Sequence, residues 1–92
     1  MQQLFVSDSI PRIAPMFRFQ WEEIQNCFVL LYPEGMVKLS QSAGEIMKRC
    51  DGESTVAEII ADLNRVFPEV NLNTDVHKFL EVAHENGWIK QK

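Results

Sequence analysis

The stretch Cys27-Phe28-Val29-Leu30-Leu31-Tyr32-Pro33-Glu34-Gly35-Met36-Val37-Lys38-Leu39-Ser40-Gln41-Ser42-Ala43-Gly44-Glu45-Ile46-Met47 decides the fold, because its apolar spacing changes partway along. Cys27 to Tyr32 is apolar on both faces, the pattern of a strand covered on both sides, and this predicts a central strand. Pro33-Glu34-Gly35 reads as a tight turn, with proline presetting φ and glycine available for the positive φ of a bulged hairpin. Met36 to Leu39 returns as a short strand with Val37 and Leu39 inward. The spacing then becomes helical, with Ala43, Ile46, Met47 and Cys50 on one stripe behind Ser40 or Ser42 as N-cap. Ser42 with Glu45 has the spacing of a capping box.

Upstream of this stretch, Phe17, Phe19 and Trp21 alternate with Met16, Arg18 and Gln20, which predicts a half-buried first strand. Residues 1–15 carry Pro11 and Pro15 and scattered apolar positions, and they read as an irregular N-terminal arm ahead of a single domain over 16–92. Downstream, Asp51-Gly52 ends the first helix. Thr55 and Glu58 form a second capping box ahead of Val56, Ile59, Ile60, Leu63 and Phe67, a stripe that stops before Pro68. Asn73 or Thr74 caps a third helix whose Val76, Phe79, Leu80 and Ala83 share a stripe and which ends at Gly87. Trp88-Ile89 brings the end of the chain back to the core. The order predicts an α+β fold of winged helix-turn-helix type: a three-stranded antiparallel β-meander followed by three α-helices.

At 92 residues there is room for one domain, and a core of this size buries roughly 60–65% of the unfolded surface. The chain is 46% hydrophobic and 24% charged, with a net charge of −4, so nothing in its charge favours nucleic acid or an anionic membrane. The third helix carries Asp75, Glu81 and Glu85 against Lys78, unlike a recognition helix that reaches phosphates and base edges. The start of the chain lacks the basic and apolar regions of a secretory signal, and Cys27 to Tyr32 is too short to span a bilayer. Two cysteines make no disulfide framework, so a reduced, cytoplasmic protein is expected.

Chemistry finds little footing. His77 and His84 lie seven apart without a carboxylate or cysteine at ligand spacing, so no metal is expected. Cys27 and Cys50 fall on apolar positions suited to core residues, and no glycine-rich phosphate loop or nucleophile elbow occurs. No catalytic residue and no cofactor is therefore assigned. What remains is binding. The third strand has an open edge, Val37 included, onto which an extended peptide can add, and the third helix has more apolar surface than one packing face needs.

Val29 to Ser40, then Ser42-Ala43-Gly44-Glu45-Ile46, then Cys50-Asp51-Gly52, resemble the PqqD family of pyrroloquinoline quinone (PQQ) biosynthesis proteins. Pro11, Arg18, Ile59-Ile60, Leu63, Asp75-Val76, Phe79-Leu80 and Gly87-Trp88 extend the resemblance along the chain. Ser40 stands where many members carry asparagine, an exchange between two good N-caps. The resemblance implies a non-catalytic peptide chaperone that binds the precursor peptide PqqA and presents it to the radical S-adenosylmethionine enzyme PqqE. It also implies a contact set of Val37, Lys38 and Leu39 on the strand with Val76, Phe79, Leu80 and Ala83 on the helix. A winged-helix DNA-binding regulator and a structural homodimer with an exchanged edge or arm are the alternatives.

Overall fold

The computed structural model describes residues 5–92. In chain order the elements are β1 (Pro11–Ile13), β2 (Arg18–Glu22), β3 (Cys27–Tyr32), β4 (Gly35–Lys38), α1 (Gln41–Lys48), α2 (Val56–Val66), α3 (Asn73–Glu85) and β5 (Ile89–Gln91). Strands β2, β3 and β4 form the expected antiparallel meander with β3 in the middle, and the three helices follow. Val29 and Leu30, neighbours on opposite faces of β3, are both fully buried, as a central strand requires.

The inner face of the meander aligns Phe19, Leu30 and Val37 across the three strands. Phe28 stacks on Phe19 with ring centroids 4.8 Å apart, and Trp21 meets Phe28 edge-on at 4.9 Å. Helix α1 lies close on this face: a Cβ on Gly44 would come within 2.7 Å of a Phe28 ring carbon. Leu30 and Leu39 join Ile46 and Met47 of α1, Ile59 and Leu63 of α2, and Val76 and Leu80 of α3 in one core. Each such side chain contributes roughly 1.5–3 kcal/mol by leaving water.

Caps set the helix starts. Ser40 is the N-cap of α1, its Oγ accepting from Ala43 N–H at 3.2 Å. The Ser42–Glu45 capping box does not form, because Ser42 lies inside the helix and Ser40 is its N-cap; the Glu45 carboxylate pairs with Arg49 at 2.9 Å. The Thr55–Glu58 box is complete, with bonds of 2.8 and 3.1 Å. Helix α3 begins at Asn73 after Leu72, which gives no side-chain cap; Asn71 Oδ1 accepts from Asn73 N–H instead. Its end is a Schellman turn: Gly87 at φ +77° donates to His84 O, and Trp88 N–H donates to Ala83 O at 2.9 Å.

Two further sequence expectations are corrected. Gly35 does not take positive φ; it pairs with Tyr32, so Pro33-Glu34 alone forms the turn. The arm is not irregular throughout either, although Met1 to Leu4 lie outside the described residues. Pro11–Ile13 pair antiparallel with Ile89–Gln91 as a second, two-stranded sheet. Three residues per strand are too few to display a period, and Pro11 reads as a breaker although a first strand position needs no N–H. Phe5 is buried in the core, and its ring meets His84 edge-on at 5.7 Å. The carbonyls of Ser9 and Ser7 accept from Val56 and Ala57, two of the first-turn N–H groups of α2 that the helix itself leaves without partners.

Candidate functional site

Hydrogen bonds in an antiparallel ladder alternate, so one known bond fixes the rest. Leu39 N–H donates to Phe28 O at 3.0 Å. With the register Leu30↔Val37 and Tyr32↔Gly35, the main-chain groups of Val37 and Gly35 therefore face β3. Those of Met36 and Lys38 face outward. Among the described residues, no strand pairs with that outer edge. The open-edge position expected for the Val37 N–H is not met, because the register turns it toward β3.

The seven residues implied by the family resemblance separate by burial. Leu39, Val76, Leu80 and Ala83 are buried in the core, with the three helix residues at 0% exposure. Val37 and Phe79 are half-buried and pack against that same core from β4 and α3. Lys38 is exposed. Val37 and Phe79 thus keep accessible apolar surface beside that core, whereas Lys38, opposite Val29 in the register, projects from the other face of the sheet.

The two flanks of α3 differ. On a helical wheel, Phe79, Val82 and Leu72 lie to one side of the buried stripe, and His77, Glu81 and His84 to the other. His84 takes the contact with Phe5, so the arm occupies the histidine flank. The Phe79 flank keeps an exposed Val82 (49%). It is the more apolar and more accessible of the two.

Where β4 runs into α1, a cleft of about 490 Å³ opens between the helices. Ser40 stands at its lip; Ile46, Leu63, Phe67, Val70 and Leu72 line it. The sequence pattern gave no sign of this cleft, because its walls come from the ends of three helices. Among the described residues Glu45 is the one charged residue of the lining, and its carboxylate is engaged by Arg49. Arg49 also binds Asp62 of α2 at 2.6 Å and the Glu45 carbonyl at 2.7 Å, fastening α1 to α2 behind the cleft. Burial alone would lower the Arg49 guanidinium, but the hydrogen bonds it donates to Asp62 and Glu45 outweigh it and raise its pKa. Among the described residues no group of three or more His, Cys, Asp or Glu is placed to hold a metal ion, and no helix is long and apolar enough to cross a membrane.

A family model described as Coenzyme PQQ synthesis protein D (PqqD) matches residues 27–89. A Pseudomonas aeruginosa protein named PqqA binding protein is 56% identical over 84 residues, 90% of this chain and 91% of its own length. Proteins of the same name from Azotobacter vinelandii and Methylococcus capsulatus are 52% and 39% identical over 84 residues, each covering about nine-tenths of both chains. Among solved structures, the chain is similar to the solution structure of the PqqD truncation of Methylobacterium extorquens PqqCD. That protein is described as a functional, stand-alone recognition element for ribosomally synthesized and post-translationally modified peptides; TM-score is 0.79, identity 24%, coverage 96% of both chains. The heterocyclase TruD also matches, with TM-score 0.71 and 21% identity over 91% of this chain and 12% of that one. At such identities the two structures show a shared fold.

Proposed function

The chain belongs to the PqqD family, and on that premise we propose that it binds the precursor peptide PqqA as an added strand on β4 and presents it to the radical S-adenosylmethionine enzyme PqqE. The observation that carries this reading is the unpaired outer edge of β4, where Met36 and Lys38 offer main-chain donors and acceptors. A peptide strand pairing there gains hydrogen bonds whatever its sequence. Selectivity then comes from side chains that reach Val37 and the Phe79 flank of α3. Leu39, Val76, Leu80 and Ala83 act from beneath, by fixing the distance between strand and helix. The relatives named PqqA binding protein support the choice of peptide. The domain supplies binding and leaves the chemistry to its enzyme partner.

Ordering a flexible peptide offsets part of the contact energy, so an affinity of about micromolar or somewhat tighter is expected. Titrating PqqA into isotope-labelled protein should move the amide signals of residues 36–40 and 74–84. Unchanged spectra with excess peptide and a folded domain would overturn the reading. Lys38→Pro removes one outward N–H and should weaken binding about fivefold to tenfold; an unchanged affinity would exclude strand addition on this edge.

A further inference from the structure

We infer that the cleft at the end of β4 is a specificity pocket for one large apolar side chain of the added peptide strand. This inference rests on the strand-addition reading and deepens it.

Continuity comes first. The cleft begins at Ser40, two residues beyond the last residue of β4, about 7 Å along a strand. A peptide paired with Met36 and Lys38 that runs two residues further arrives over its mouth. The cleft is therefore an extension of the proposed edge.

Chemistry then selects the occupant. Ile46, Leu63, Phe67, Val70 and Leu72 give apolar walls, and about 490 Å³ accommodates an aromatic or branched aliphatic side chain with room to adjust. A carboxylate or ammonium entering here would leave water without a counter-ion, because the only charged group in the lining, Glu45, is already held by Arg49. Polar groups at the mouth, from Ser40 and Ser42, can meet the peptide main chain on its way in. Val70 on the outer wall is 50% exposed, so apolar surface stands uncovered where a side chain would enter. Covering it on binding favours the complex by the same burial that builds the core.

Rigidity adds to the argument. The Arg49–Glu45–Asp62 network ties the α1 wall to the α2 wall, so the pocket does not have to form when the peptide arrives. The third wall, the connection from Phe67 to Leu72, contains a local turn in which Val70 N–H donates to Phe67 O at 3.3 Å.

The test uses fluorescein-labelled full-length PqqA and the whole domain. Val70→Asp puts a charge on an exposed wall, and Ser42→Trp fills the mouth from an exposed position; neither removes a core contact. Both should weaken peptide binding about tenfold while leaving the melting temperature near wild type. Replacing each apolar residue of the peptide with Asp in turn should identify one position whose effect nearly disappears in the Val70→Asp background. If the wild-type domain does not bind the peptide, strand addition and pocket fail together. If it binds, Lys38→Pro weakens it, and both cleft variants stay within about twofold of wild type, the pocket alone is overturned.

Discussion

The two sides of this small domain treat a strand edge in opposite ways. On one side the chain seals itself: β1 is paired with β5, the backbones of Arg12 and Asp51 form an isolated antiparallel β-bridge, Gly52 N–H donates to Pro11 O at 3.1 Å, and Lys92 N–H donates to Ile10 O at 2.8 Å. On the other side, β4 has Met36 and Lys38 facing outward with no strand added among the described residues. Both edges are short and made of ordinary residues, so propensity does not separate them. What separates them is whether the chain has more backbone to lay alongside. An edge left open this way is a hazard unless it has a use, and the exposed Lys38 discourages indiscriminate pairing.

The largest expected effect comes from exchanging proline along the open edge. Val37→Pro removes an N–H that faces β3 opposite Leu30, in a two-sided contact of the central ladder. It should cost about 2–4 kcal/mol of stability, read by urea denaturation, and binding falls because the site unfolds. Lys38→Pro removes an N–H that faces water in the free protein. Its stability should change by about 0.5 kcal/mol or less while peptide binding weakens. Equal destabilisation by the two prolines would mean the alternation is wrong and the outward edge belongs to other residues.

That pair also marks the limit of what the residues alone disclose. The meander and the three helices were legible because each runs long enough to express its period, two or near 3.6. The central place of Cys27–Tyr32 was legible from its two apolar faces. Strands β1 and β5 were not: three residues carry no alternation, and their pairing depends on meeting across nearly the whole chain. The site was half legible. The open edge and the apolar third helix follow from pattern, but Val76, Phe79, Leu80 and Ala83 share one wide stripe, and only packing decides that Phe79 stays accessible. Which N–H groups of β4 face outward depends on register, which the two-residue turn sets.

The sealed side should yield smaller effects, none of them on peptide affinity. Gly52 sits at φ +79°, and a Cβ there would lie 3.3 Å from Arg12 Cβ. Gly52→Ala should therefore cost roughly 1–2 kcal/mol and loosen the β1 contact. Asp51 accepts from Glu53 and Ser54 N–H at 2.9 and 2.8 Å, turning the chain toward α2. The Ser54 and then the Glu53 N–H bonds hold its carboxyl below the ordinary 3.8. A carboxyl lowered in the folded state stabilises above the unfolded value and loses that contribution as pH falls through the folded one. Stability should thus decline below about pH 4, and Asp51→Ala, worth about 1 kcal/mol at neutral pH, should flatten that part of the decline. A wild-type acid slope in the variant would assign it to other carboxylates, Asp62 beside Arg65 and Arg49 first among them.

The smallest effect is one of rate. Cys50 borders the sealed seam and is buried, with its Sγ 3.4 Å from Ile46 O. Burial, with Asp51 adding to it, pushes the thiol pKa up to about 12, so almost no thiolate exists at neutral pH. Alkylation of Cys50 should proceed only through opening of the structure, whereas half-buried Cys27 on β3 reacts under native conditions. If the seam is a separate latch, Gly52→Ala should speed Cys50 labelling by more than its loss of global stability accounts for, followed by mass spectrometry of the alkylated peptides. If PqqA binds the β4 edge as proposed, it should slow Cys50 labelling only as much as it stabilises the whole domain. A larger protection would mean that the two edges communicate through the core rather than standing as independent answers to the same problem.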